Sequence, residues 1–132
     1  MKNLHSFKVK INGQKLEKCE SYKYLGVFLD DQLNWKTHVH YINQKISKAC
    51  GILAKLRHFC SLKVLKMVYY AIVYSYLQYC NVVWGNAHDI TLGPLCRTID
   101  KIMRIINFSP FNSSNISSIY KKFAILQLDK IH

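Results

Sequence analysis

Between Tyr22 and Lys36 the period of the hydrophobic pattern changes, and this constrains the fold more than any other feature of the chain. Tyr22-Lys23-Tyr24-Leu25-Gly26-Val27-Phe28-Leu29 is rich in strand-forming residues and ends in the polar run Asp30-Asp31-Gln32. From Lys36 onward Val39, Ile42, Ile46, Ala49, Leu53 and Leu56 recur at three- and four-residue steps, the stripe of an amphipathic helix over 36–59. The two periods need different backbones, so a sheet must end before this helix begins.

Upstream, Phe7, Val9 and Ile11 alternate with Lys8 and Lys10, the pattern of a half-buried strand. Asn12-Gly13 then supplies two residues that tolerate positive φ, a hairpin signal that sets Val9 opposite Leu16 and Lys8 opposite Glu17. Tyr22 to Leu29 is expected to be a third, more central strand, with Gly26 marking a bulge or a close approach by another backbone.

Downstream, a break near Cys60-Ser61 should start a second helix over 62–82, closed by Trp84-Gly85-Asn86. Asp89 or Thr91 can cap a third, with Pro94 in its first turn. Leu95, Ile99, Ile102, Met103 and Ile106 form its apolar face, and Arg97, Lys101 and Arg104 its exposed basic one. A loop over 109–114, a short helix over 116–122 and the approach to another element at 126–130 complete the chain. Gly51, mid-helix, costs about 1 kcal/mol relative to Ala; it is either a tolerated defect or room for a neighbouring helix or a sugar–phosphate backbone. The expected class is α+β: a small antiparallel sheet of about three strands within residues 1–35, then a mainly helical bundle over 36–132.

Charge narrows the function. The 19 Lys and Arg against 7 Asp and Glu give a net charge of +12, which favours polyanionic partners. From Gln32 to His88 there is no Asp or Glu, while Lys36, Lys45, Lys48, Lys55, Arg57, Lys63 and Lys66 fall inside. An ordinary soluble surface mixes both signs. Lys36, His40, Gln44, Lys48 and Lys55 share the polar side of the first helix, and His38 and His40 at its start suit a surface or phosphate-facing position. The partner expected is nucleic acid, held by phosphate contacts that weaken with salt. A second reading is a membrane-associated helical protein using Met67 to Trp84, a segment without formal charge. Tyr69, Tyr70, Tyr74, Tyr76 and Tyr79, with Ser75, Gln78 and Asn81, count against it, since each polar group would need a partner in lipid. A buried helix with tyrosine hydroxyls at its rim is cheaper.

The five cysteines are widely spaced, form no C-x-x-C pair and follow no secretory signal, so reduced thiols in a nuclear or cytoplasmic protein are expected. No spacing suits a zinc site, and no metal ligand set is expected. The acids are Glu17, Glu20, Asp30, Asp31, Asp89, Asp100 and Asp129. Only Asp30 and Asp31 are adjacent; they lead into a basic helix rather than a second strand, so they read as a strand terminator and helix-entry cluster, not a Mg²⁺-binding pair. No phosphate loop, nucleophile elbow or H-E-x-x-H occurs. No catalytic residue and no cofactor are expected for this chain alone.

The run Ile11-Asn12-Gly13-Gln14-Lys15-Leu16, then Lys23-Tyr24-Leu25-Gly26-Val27, then Leu33-x-Trp35-x-x-His38 resembles the strip just past the catalytic palm in reverse transcriptases of non-LTR (LINE-type) retrotransposons, jockey-like elements among them. Lys45-Ile46-x-Lys48, Gly51-Ile52-Leu53-x-Lys55-Leu56, Tyr69-Tyr70, Tyr79-Cys80-x-Val82-Val83-Trp84-Gly85, Arg104-Ile105-Ile106, Ile119-Tyr120 and Ile125-Leu126-x-Leu128 continue it in order. The resemblance implies that residues 1–35 close the palm, with Tyr24-Leu25-Gly26 at the primer grip beside Lys23, and that residues 36–132 form the thumb. It implies an RNA-directed DNA polymerase as parent protein, using Mg²⁺, whose fingers, most of the palm and metal-binding aspartates would lie before Met1. The expected contacts to primer and template are Lys23, Tyr24, Leu25, Gly26, Lys36, His40, Lys48, Lys55, Arg97, Lys101 and Arg104.

Overall fold

The computed structural model describes residues 9–108 and 115–123. Phe7, Lys8, the 109–114 loop and the 126–130 segment lie outside them.

The class is α+β, with a mainly helical body, as the change of period requires. The sheet differs from expectation. Instead of three strands there are two separate hairpins: β1 (Lys10–Ile11) with β2 (Gln14–Lys15), and β3 (Ser21–Tyr24) with β4 (Val27–Asp30). The first keeps the register set by Asn12-Gly13, with Leu16 N–H donating to Val9 O at 3.0 Å. It is not half-buried, because Val9, Ile11 and Leu16 are all exposed. The second corrects the single strand read over Tyr22–Leu29. Leu25 and Gly26 adopt φ of 46° and 83°, folding the run into two strands that pair Tyr22 with Leu29, Lys23 with Phe28 and Tyr24 with Val27. Two consecutive positive φ values make the tight turn that suits strand twist.

Helix α1 runs Lys36–Leu56 and buries Val39, Ile42, Ile46, Ala49 and Leu53, the stripe read from spacing. Gly51 faces open space among the described residues, and none of the described helices packs on it. The helix expected over 62–82 is broken into parts. Leu62–Val68 forms α2, Tyr69–Tyr74 widens into a π-helical turn, and Ser75–Gln78 forms α3. Ser75 Oγ lies 2.9 Å from both the Ala71 and Ile72 carbonyls, and its single hydroxyl hydrogen is shared between these two acceptors one turn back. Cys80, at φ 52°, ends the run and starts α4 (Asn81–Trp84). Among the described residues no helix is long and apolar enough to cross a membrane, which overturns a membrane-spanning use of Met67–Trp84. Tyr69 is fully buried rather than at the rim, whereas Tyr70 and Tyr79 are exposed.

Helix α5 (Asp89–Ile106) buries Leu95, Ile99, Ile102, Met103 and Ile106 against α1. Its cap is His88, whose Nδ1 accepts from Ile90 N–H at 3.3 Å, not Asp89 or Thr91. Pro94 sits in the second turn rather than the first. Helix α6 (Ile116–Phe123) packs on α5, where Tyr120 Oη donates to Asp100 Oδ1 at 2.8 Å. Burial and this hydrogen bond push the Tyr120 phenol far above its usual range.

Helices α1 and α5 run in the same direction. Their N-terminal ends share a groove between Lys36–Asn43 and Ile90–Pro94, Lys101 lies near Cys50, and the Arg57 guanidinium covers the Phe108 ring at 4.6 Å. Their positive dipole ends therefore lie together beside Lys36 and His40.

Candidate nucleic-acid interface

Five ties hold the β3–β4 hairpin to the helical body. Val27 is buried, and the Phe28 ring lies 5.2 Å from that of Tyr41 on α1. Phe28 N–H donates to His38 Nδ1 at 3.3 Å. On the far side, Tyr79 Oη donates to the Leu25 carbonyl at 2.6 Å, across 54 residues of chain. Asp30 closes the base: its carboxylate accepts from Gln32, Asn34 and Trp35 N–H at 3.2, 2.9 and 2.8 Å. That carboxylate fixes the loop in which Leu33 and Trp35 take positive φ, and so sets where α1 begins. Its role is the strand-terminating, helix-entry one read from the sequence.

His38 corrects the surface reading. It is 1% exposed, with Trp84 against its ring edge. Because Nδ1 accepts the Phe28 amide, the ring is neutral with its proton on Nε2, and burial lowers its pKa from the ordinary histidine value. It ties sheet to helix. His40, two residues later but turned outward, is exposed and meets Gln44 Nε2 at 2.9 Å.

The expected contact residues fall into three places. Lys23, Tyr24, Leu25 and Gly26 lie together on the hairpin, with Leu25 at 73% exposure on the tip. Lys36 and His40 line the groove of about 500 Å³ at the N-terminal ends of α1 and α5, whereas Lys48 and Lys55 lie farther along the exposed side of α1. Arg97 and Lys101 are exposed on α5, but Arg104 is only half-exposed, which corrects its fully exposed reading. The ion pair between described residues, Lys18 Nζ to Asp31 at 3.3 Å, lies by the hairpins. Among the described residues no carboxylate pairs with Lys36, Lys48, Lys55, Arg97 or Lys101.

One cation beside the hairpin was not among the contact residues expected from the sequence. Lys45 Nζ lies 5.3 Å from the centre of the Tyr41 ring, and Lys23 Nζ lies 5.2 Å from the same centre. Lys23 also covers Phe28, its cross-strand partner, at 5.4 Å. The signal was its position: Lys45 follows Tyr41 by one helical turn, so its stem folds back over the ring. Among the described residues no group of three His, Cys, Asp or Glu side chains could hold a metal ion.

Among the described residues the surface is basic and poor in carboxylates, and the hairpin tip faces solvent. Comparison with known proteins finds a relative of the chain. The chain is 34% identical over 107 residues to the RNA-directed DNA polymerase from mobile element jockey of Drosophila funebris. The match covers 78% of this chain and 12% of that protein, so the chain corresponds to a small part of its relative. No protein-family model matches the chain, and no solved structure does. The chain is thus related in sequence to a region of a non-LTR retrotransposon reverse transcriptase.

Proposed function

We propose that this chain is the primer–template-gripping part of a retrotransposon RNA-directed DNA polymerase, with residues 1–35 as the end of the palm and the helices from Lys36 as the thumb. The observation that carries the reading is the union of a mobile-element polymerase relative with exposed cations that lack carboxylate partners among the described residues. Tyr24-Leu25-Gly26 would meet the primer strand, and Lys36, His40, Lys48, Lys55, Arg97 and Lys101 its phosphates and those of the template. Arg104, half-buried, would contribute least. Polymerisation itself would use Mg²⁺ on carboxylates of the parent protein's remaining palm, so the isolated chain binds without extending a primer.

The test is the affinity of the chain for an RNA–DNA hybrid with a recessed 3′ end, measured over a range of salt and against a blunt hybrid of equal charge. Affinity should fall steeply with salt, and each lysine removed from the contact set should reduce the log–log slope by about 0.9. The recessed end should be preferred, and Lys23→Ala or Tyr24→Ala should reduce that preference. Binding that ignores salt would overturn the reading.

A further inference from the structure

Lys48, Gly51, Ile52, Lys55 and Phe59 recur at three- and four-residue steps, so they share one face of α1 over about three turns. Phe59 keeps the stripe because the helical turn runs on past Leu56: Phe59 and Cys60 N–H both donate to the Leu56 carbonyl, at 3.0 and 2.9 Å. All five residues are exposed, Ile52 by 47% and Phe59 by 87%. Gly51 leaves the backbone bare at the middle of this face. A Cβ there would meet no described atom within 4 Å, so nothing in the described fold requires a glycine. Its weakening of the helix therefore has no compensation among the described residues.

We infer that this face docks an acidic amphipathic helix of a protein partner. The partner's backbone approaches α1 at Gly51, its apolar side chains cover Ile52 and Phe59, and its carboxylates meet Lys48 and Lys55. Charge complementarity selects the occupant. From Gln32 to His88 the chain has no Asp or Glu, and among the described residues neither lysine has a carboxylate partner. A second copy of the chain would set lysine against lysine across the seam. A nucleic-acid backbone offers phosphates to the lysines but little apolar surface to Ile52 and Phe59. A bilayer would take Phe59 but make no use of bare backbone at Gly51. Of these occupants, an acidic helix with an apolar stripe matches all three features of the face. The inference goes beyond the proposed function and meets it at two residues. Lys48 and Lys55 cannot hold carboxylates and phosphates at once, so the docked helix displaces that part of the nucleic-acid contact.

The test uses the whole chain and a three-heptad helical peptide with leucine at the first and fourth positions of each heptad and glutamate beside them. A control peptide of equal charge carries alanine for leucine. Wild type should bind the leucine peptide about tenfold more tightly than the control, because two exposed apolar side chains are covered. Ile52→Ser combined with Phe59→Ser should bring the two peptides to the same affinity. Gly51→Gln removes a helix-weakening residue from an open site without altering charge, so the fold is kept, and it should weaken the leucine peptide several-fold. Equal wild-type affinity for the two peptides would overturn the docking face and leave salt-sensitive hybrid binding, and so the proposed function, standing. Gly51→Gln that weakens the RNA–DNA hybrid rather than the peptide would assign the face to a sugar–phosphate backbone and overturn the inference. Binding to phosphatidylserine vesicles that Phe59→Ser abolishes, without preference between the peptides, would assign it to lipid and do the same. Preference for the leucine peptide with no hybrid bound at any salt would uphold the inference and overturn the proposed function alone.

Discussion

The two hairpins have the same architecture and opposite fates. Each is a short antiparallel pair closed by two residues of positive φ, Asn12-Gly13 in one and Leu25-Gly26 in the other. The first carries the stronger turn sequence but buries nothing: all of Val9 to Glu20 is exposed. The second has a branched apolar residue where Asn is favoured, yet it is tied down by Val27, Phe28, the His38 ring, the Asp30 carboxylate and the Tyr79 hydroxyl. Turn chemistry can close a hairpin, but contacts from distant residues decide whether it joins the fold, since an isolated pair of strands is marginal in water.

The largest effect that would sharpen this contrast is at Asp30. Asp30→Ala removes the acceptor for three amide groups in a loop that already holds two residues in the left-handed region. Hydrogen bonds to a carboxylate contribute about 1.5–3 kcal/mol each when buried, and this group is partly exposed, so a loss of about 2–3 kcal/mol is expected. Urea unfolding followed by circular dichroism reads it. Asp31→Ala, which loses an exposed ion pair with Lys18, should change stability by less than about 0.5 kcal/mol. Equal effects at the two aspartates would mean that Asp30 is not the anchor.

A second prediction concerns pH. His38 is depressed below its ordinary pKa of 6.5 by burial, and only its neutral form can accept the Phe28 amide. Above about pH 6.5 the ring is neutral in folded and unfolded chains alike, and its contribution is fully present. As the pH falls below that value the unfolded chain takes up a proton that the folded chain refuses, so stability declines until the folded-state pKa is passed. The unfolding midpoint of wild type should drop between pH 7 and 5 more than that of His38→Gln. Parallel slopes would assign the decline to other groups.

How much of this was legible in the sequence follows from range. The buried faces of α1 and α5 were readable residue by residue, because a helix repeats its solvent and core sides every few positions and the apolar residues keep that beat. His38 could have been read as well: it precedes Ile42 by one turn and continues the same stripe, but as a histidine beside His40 it looked like surface. The turn at Leu25-Gly26 was marked only by Gly26, which fits a bulge as well as a turn, since the rest of Tyr22 to Leu29 is strand-like and the bond that stabilises the fold-back comes from Tyr79. The break at Tyr79-Cys80 has the same origin: Trp84 Nε1–H donates to the Tyr79 carbonyl at 2.9 Å, taking an acceptor the helix would otherwise have used. For the candidate interface, the cations were visible as a charge pattern. Their division among hairpin, groove and outer helix face, and the pairing of Lys23 with Lys45, required the chain to fold back on itself.

The smallest predicted effect is also the most direct break of the comparison. Gly13 and Gly26 sit at nearly the same backbone conformation, φ 78° and 83°, and among the described residues neither site crowds a methyl group: none of them lies near Gly13, and Gly26 meets Tyr79 at ordinary contact distance. Alanine should therefore impose the same local strain at both, about 1 kcal/mol. If coupling to the body decides, Gly26→Ala lowers global stability by about that amount, because β4 cannot adjust without disturbing Phe28 and His38. Gly13→Ala should leave the urea midpoint within about 0.3 kcal/mol of wild type, since the first hairpin can open while the rest stays folded. Amide exchange at Leu16, whose N–H meets Val9 O, should then quicken in Gly13→Ala with protection of α1 unchanged. Equal global losses from the two alanines would mean that the first hairpin is bound into the same cooperative unit as the second.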